Sequence, residues 1–176
     1  MNEAMKECLV WMIIPTYYPV IGGTQKQVEW LSQRLSARGQ SVQVLTRQHS
    51  YAHQAGLSVS DVLNDTPIRR IYSRGVGKVG SLLYVLGGWW HLLRHGRRDI
   101  YHAHDLGAAG WLAVLARLLL GGRCLIKMRT GRDRYERSHA SRLGRWQFAT
   151  LLRLADRVQV VNRDVERMVR DLGGHT

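Results

Sequence analysis

Residues 9–46, LVWMIIPTYYPVIGGTQKQVEWLSQRLSARGQSVQVLT, read as a strand, a glycine-bearing loop, an amphipathic helix and a second strand. Residues 9–14 are continuously apolar, as in a parallel strand covered on both faces, and Pro15 and Pro19 end the run. Thr24 is spaced to accept from the backbone N–H of Gln27 while the Gln27 side chain reaches back, a capping box that predicts a helix starting at Thr24. Val28, Leu31 and Leu35 then fall on one core-facing stripe, Arg34 and Arg38 suit the negative end of the helix dipole, and Gly39 can take the left-handed conformation that stops the helix. The segment is a βαβ unit, which commits the chain to a parallel sheet.

The loop acquires chemistry from Gly22-Gly23, directly ahead of the helix N-terminus, where unpaired amides and the helix dipole favour an anion. Without Cβ atoms a diphosphate can approach the backbone there. Paired glycines equally serve a plain turn between strand and helix. The loop is neither a GxGxxG dinucleotide fingerprint nor a P-loop, since no GK[ST] follows.

At 176 residues the chain is expected to form one domain, 1–176. Cys8 and Cys124 lie in apolar, strand-like runs and read as reduced core thiols, which favours a cytoplasmic location. The N-terminal residues MNEAMKE do not read as a secretory signal, and the longest nearly uncharged runs, 79–93 and 106–116, are too short to span a bilayer.

Charge is the second strong signal. Lys and Arg number 26 against 13 Asp and Glu, a formal +13, and all but Lys6, Lys26, Lys78 and Lys127 are arginine. Arg129, Arg132, Arg134, Arg137, Arg142 and Arg145 crowd one segment, readable as a solvated helical face or as a membrane contact. Such a field attracts phosphates, whether in nucleic acid, lipid headgroups or a nucleotide sugar. No helix-turn-helix, RNP-like or zinc-finger pattern supports nucleic acid, and the tryptophans sit in apolar runs, not among the arginines.

Beyond Thr46 the alternation continues. Residues 47–66 are polar and unperiodic and are expected to form a long loop, and 67–72 a short edge-like strand. Residues 78–94 read as a helix whose Gly87-Gly88-Trp89-Trp90 centre is either tightly packed or interfacial. Strands are expected at 99–103, 123–128 and 157–161, and helices at 106–120, at 141–155 and after Asn162, a cap. The result is an α/β fold, a Rossmann-like doubly wound parallel sheet.

Ligands bind such sheets beyond the carboxyl ends of the strands. Those ends carry residues 17–24, His104-Asp105 and 127–132. A glycine anion loop, a His-Asp pair and a basic cluster on one rim suit a phosphorylated ligand and a proton-transfer partner. His102 and His104, two apart, share one face of a strand with His104 nearer the rim; each is equally readable as a satisfied strand-end residue.

The segments PTYYPVIGGTQKQVEWLSQRLSARGQSVQVLT, DIYHAHDLGAAGWLAVLARLL and LADRVQVVNRDVERMVRDLG, in this order, resemble the N-terminal domain of the retaining family 4 glycosyltransferases of GT-B fold. The resemblance covers nearly the whole chain. It implies transfer of a hexose from a nucleotide diphosphate sugar to a lipid-linked or polysaccharide acceptor, hence a role in polysaccharide biosynthesis at the inner face of a membrane. The nucleotide sugar is a donor substrate; no separate cofactor and no metal are implied. Gly22, Gly23 and Thr24, with Lys127, are placed on the donor phosphates, and His104, Asp105 and Arg129 are the implied catalytic group. Lys127 or Arg129 is also suited to stabilising charge on the departing phosphate or to binding a phosphorylated acceptor.

Two departures stand out. KMRTGRDR puts Arg129 near the place where many members carry a histidine-glycine, and the C-terminal donor-binding domain is expected to follow residue 176 or to come from a partner subunit. Two further readings stay open: a non-catalytic membrane-associated binding subunit, and a nucleotide-binding regulatory module.

Overall fold

The computed structural model describes residues 8–48, 50–73, 77–129, 135 and 141–176. Seven strands form one sheet in the order β3-β4-β2-β1-β5-β6-β7, with β1 Val10–Ile14, β2 Val42–Gln48, β3 Ser60–Leu63, β4 Thr66–Tyr72, β5 Ile100–Ala103, β6 Arg123–Lys127 and β7 Arg157–Gln159. All neighbouring pairs are parallel except β3 on β4. Helices α1 Gly23–Ser36, α3 Lys78–His95, α4 Ala108–Leu120 and α5 Arg142–Leu154 connect strands, α6 Arg163–Asp171 follows β7, and a short α2 Ser50–Gln54 follows β2.

β1 occupies the centre because all five of its residues are apolar enough to be buried on both faces. Met12 and Ile14 pack with Val28 of α1 in one core layer, while Trp11 and Ile13 face α3, α4, α5 and α6 in the other. Leu31 and Leu35 pack on the first layer as the stripe predicts. Gly39 has φ of +78° and stops the chain after α1.

Four local expectations are corrected. α1 starts at Gly23 with Gly22 as N-cap, and no side chain caps it; the amide that reaches back is Gln25, whose Nε2 donates to the Thr16 carbonyl at 3.0 Å. Residues 47–66 are not one loop, since they contain α2 and β3. For the same reason β4 is not an edge: β3 covers it, held by the fully buried Arg70, whose Nη1 donates to the Ser58 carbonyl at 2.8 Å and to Asp61 Oδ2 at 3.1 Å. β5 starts one residue later than expected, at Ile100, and the first residue of the predicted run, Asp99, accepts instead from Trp11 Nε1 at 2.9 Å.

At the centre of α3 the glycines serve close packing. A Cβ on Gly88 would lie 2.5 Å from Leu112 Cδ2 of α4, and one on Gly87 would lie 2.7 Å from Ile71 Cγ2 of β4. Trp89 packs against the core and Trp90 points outward, so the two tryptophans do not act as a pair. At the far edge, the Val158 N–H of β7 donates to the carbonyl of His175, which lays the C-terminal residues along that strand. Both cysteines are free.

Candidate functional site

The candidate site lies along the carboxyl ends of β1, β5 and β6. His102 and His104 leave β5 on the same side, their rings 4.1 Å apart between centroids and tilted by 33°. β1 and β5 pair with Met12 opposite His102, and this register sets Met12 Sδ 3.4 Å from His104 Nε2. The His104 N–H donates to the Ile13 carbonyl at 2.9 Å, so the strand ladder fixes the backbone beneath the ring.

Both imidazoles are buried, and His102 Nε2 and His104 Nδ1 have no hydrogen-bond partner among the described residues. Burial, with the positive charge of Lys127 nearby, lowers the pKa of His102 to about 4. Burial, followed by the fields of His102, Lys127 and Arg129, lowers that of His104 to about 2. Lys127, itself buried at the end of β6, is pulled down from the ordinary lysine value by desolvation. His104 is therefore neutral at physiological pH. It is poorly suited to delivering a proton as imidazolium.

At the rim the Asp105 carboxylate meets the Arg129 guanidinium, Oδ2 to Nη2 at 3.1 Å. Asp105 Oδ1 accepts from the Leu106 N–H at 2.9 Å, which fixes the carboxylate as the chain turns into α4. The Arg129 N–H donates to the Tyr135 hydroxyl at 2.8 Å, and Tyr135 stacks on Phe148 of α5. His104, Asp105, Lys127 and Arg129 thus form one group. Arg132, Arg134 and Arg137 lie outside the described residues; Arg142 and Arg145 stand exposed on the first turn of α5.

Gly22, Gly23 and Thr24 stand at the α1 N-terminus, beyond the end of β1, the strand that pairs with β5. Among the described residues no hydrogen bond or ion pair joins them to the Asp105–Arg129 group. Gly23 belongs to the first turn of the helix, not to the loop; a Cβ there would meet nothing within 4 Å, and its φ is not positive. Gly22 is extended, at φ −163°, and a Cβ there would meet Gln25 Oε1 at 2.8 Å, on the amide that donates to the Thr16 carbonyl. Among the described residues neither the backbone nor the packing requires a glycine at Gly23, whereas Gly22 leaves room for the Gln25 side chain. Beside them Tyr17, Tyr18, Ile21, Gln25, Lys26 and Glu29 border a cavity of about 100 Å³, with Tyr18 and Ile21 exposed.

Met12 and Tyr135 escape a reading of the sequence, because each enters the site through a neighbouring strand or loop and carries no spacing of its own. The paired burial of Met12 and His104 follows only from the β1–β5 register. Among the described residues no three His, Cys, Asp or Glu side chains gather in a way that could hold a metal ion.

The family model for the glycosyl transferase 4-like domain matches residues 22–176, from the glycine pair to the last residue. The chain belongs to that family. A solved relative in fold is a protein of Listeria monocytogenes described as a UDP-N-acetylglucosamine 2-epimerase, whose crystal structure at 2.2 Å superposes with a TM-score of 0.58 at 14% identity. The alignment covers 96% of this chain and 43% of that one, so the domain spans less than half of its structural relative. The likeness is one of fold and agrees with a Rossmann-like half of a GT-B architecture. No curated protein matches the chain in sequence.

Proposed function

We propose that this glycosyl transferase 4-like domain is the acceptor-side half of a retaining transferase, moving a hexose from a nucleotide diphosphate sugar to a lipid-linked or polysaccharide acceptor in the cytoplasm. The observation that carries the reading is the Gly22-Gly23 pair at the α1 N-terminus: the missing Cβ of Gly23 answers to no contact among the described residues and to no backbone angle, and at Gly22 only the Gln25 side chain is near. A diphosphate accepting from the free amides of that turn explains them.

Lys127 and Arg129 supply positive charge for the phosphate that departs with the nucleotide, and Asp105 holds the Arg129 fork in place. His104, neutral and buried, adds no charge that would compete with Lys127 and Arg129 for the phosphate. The domain supplies one wall of a two-domain cleft; positioning donor against acceptor needs the other wall, from a following domain or a partner subunit.

The test is transfer of radiolabel from a panel of nucleotide sugars to a membrane lipid extract, with the anomeric configuration of the product read by NMR. Residues 1–176 together with the domain or subunit that supplies the second wall should transfer with retention, and residues 1–176 alone should show no turnover and only weak nucleotide-sugar affinity by calorimetry. Robust turnover by residues 1–176 alone, or inversion at the anomeric carbon, would overturn the proposal.

A further inference from the structure

Helix α3 carries apolar residues on two opposite sides, yet the fold covers only one of them. Gly80, Tyr84, Gly88 and Leu92, four residues apart in turn, form the buried stripe against the sheet and α4. On the opposite side Val79, Leu82, Leu83, Leu86 and Trp90 are 40–68% exposed. At 3.6 residues per turn these five fall within an arc of about 100°. A helix that is hydrophobic all round normally has both sides buried. This apolar face is continued by Leu118 and Leu119, exposed at the end of α4, whose last turn is tied to the end of α3 by the Arg98 N–H on the Leu120 carbonyl at 3.3 Å.

The charges around this face have one sign. From Thr66 to Arg98 the sequence holds seven basic residues and no acidic one, and α4 holds no acidic residue either. Lys78 stands exposed at the start of α3, and Arg94, Arg97 and Arg98 stand exposed at its end. The nearest carboxylate in sequence, Asp99, is buried and accepts from Trp11 Nε1 and from the Arg97 N–H, so it does not neutralise the face. Arg94 lies 4.1 Å over the Trp90 ring, a pairing that keeps a cation beside an indole at the apolar margin. Among the described residues no helix is long and apolar enough to cross a membrane.

We propose that the outer face of α3, from Val79 to Trp90 with Lys78, Arg94, Arg97 and Arg98 at its ends, docks on an anionic phospholipid bilayer with the helix lying in the plane of the interface. The leucines and Trp90 enter the acyl boundary while the flanking bases meet the headgroups. A soluble protein partner would need acidic groups to match the bases and would bury the same apolar stripe. The uniform positive margin and the tryptophan at the edge of the stripe favour the lipid surface. None of the candidate site residues lies on α3, so the inference does not rest on the transferase reading and fails or survives independently of it.

The experiment is flotation of the purified chain with vesicles of phosphatidylcholine, with and without phosphatidylglycerol, at low and high ionic strength. Binding should require phosphatidylglycerol, fall steeply with salt and blue-shift the tryptophan emission. Leu86→Glu, at an exposed position where folding is checked by circular dichroism, should weaken binding about tenfold or more. In the unaltered chain brominated lipid should quench Trp90, and Trp90→Phe should abolish that quenching. Three outcomes would overturn the proposal: no binding to phosphatidylglycerol vesicles; binding that survives Leu86→Glu but is lost in Arg142→Glu/Arg145→Glu, which would move the contact to α5; or a dimer in sedimentation equilibrium that Leu86→Glu dissociates while no vesicles are bound.

Discussion

The Asp105 carboxylate and the Arg129 guanidinium meet at 3.1 Å across the ends of two adjacent strands, β5 and β6, with both side chains partly open to solvent. A pair so exposed contributes at most about 1 kcal/mol to folding. Its value lies in holding a forked cation at a fixed place on the rim. Arg129→Ala should therefore shift the denaturant midpoint only slightly, while lowering kcat/KM of the transferase completed by its second wall by about a hundredfold. A large loss of stability with unchanged transfer would make the pair a fold element only.

The glycines separate into two kinds that mutation can tell apart. Gly23→Val adds atoms to open space and should leave the melting temperature nearly unchanged while abolishing transfer. Gly88→Val drives a side chain into Leu112 and should cost roughly 1–3 kcal/mol, the usual range for overpacking a core. Gly122, at φ of +94°, would press any Cβ onto the Asp99 backbone, so Gly122→Ala should be more damaging than either its size or its surface position suggests. Thermal unfolding of the three variants side by side provides the check, and an intact Gly23→Val protein with normal kinetics would return that glycine to a simple turn.

Acid should destabilise the fold earlier than its carboxylates alone would dictate. The ordinary histidine value is 6.5; in the folded chain His102 titrates at about 4 and His104 at about 2. Between those limits the unfolded chain binds more protons, so stability rises with pH and is lost as pH falls below 6.5. The loss should reach roughly 1–2 kcal/mol per histidine at pH 5. His91, lowered to about 4 chiefly by burial, acts in the same direction. Denaturant titrations at pH 7.5 and pH 5 test this, and His102→Gln/His104→Gln should flatten the difference.

How much of this was legible in the sequence depends on the range of the forces involved. The βαβ unit, the helices and the central strands announce themselves through apolar periodicity, because burying one face is a local demand on spacing. The shared face of His102 and His104 follows from the same two-residue repeat. The β3–β4 hairpin was hidden, because what stabilises it is Arg70 reaching back to Ser58 and Asp61, and a buried arginine reads in the sequence as a surface residue. The true start of α1 was hidden for a related reason: the Gln25 amide finds the Thr16 carbonyl, a partner in the preceding loop, and the capping box spaced for Thr24 and Gln27 is not used.

Asp156 should prove the most sensitive carboxylate for stability. It accepts from Arg117 Nε at 2.6 Å, from Arg123 at 3.1 Å and from the Cys124 N–H at 2.8 Å, tying α4 to the starts of β6 and β7. Burial alone would raise its pKa, but these hydrogen bonds outweigh it and hold the value at about 2. The stabilisation is complete above the ordinary 3.8 and disappears as pH falls through 2. Asp156→Asn should cost about 2 kcal/mol in urea unfolding at neutral pH, since charge-assisted hydrogen bonds are lost while the guanidiniums remain. A neutral effect would show that Arg117 and Arg123 find solvent as good a partner.

The hairpin that displaces β4 from the margin of the sheet also decides how this domain can meet other chains. An unpaired strand is an open row of donors and acceptors onto which a foreign strand can add. Here one margin is the four-residue antiparallel β3, bent back on its neighbour, and the other is the three-residue β7, where the Val158 N–H is already taken by the His175 carbonyl. Neither margin offers a long, flat template. Assembly through sheet extension is thereby discouraged, and recognition by this domain is left to its loops at the strand ends and to the outer faces of its helices.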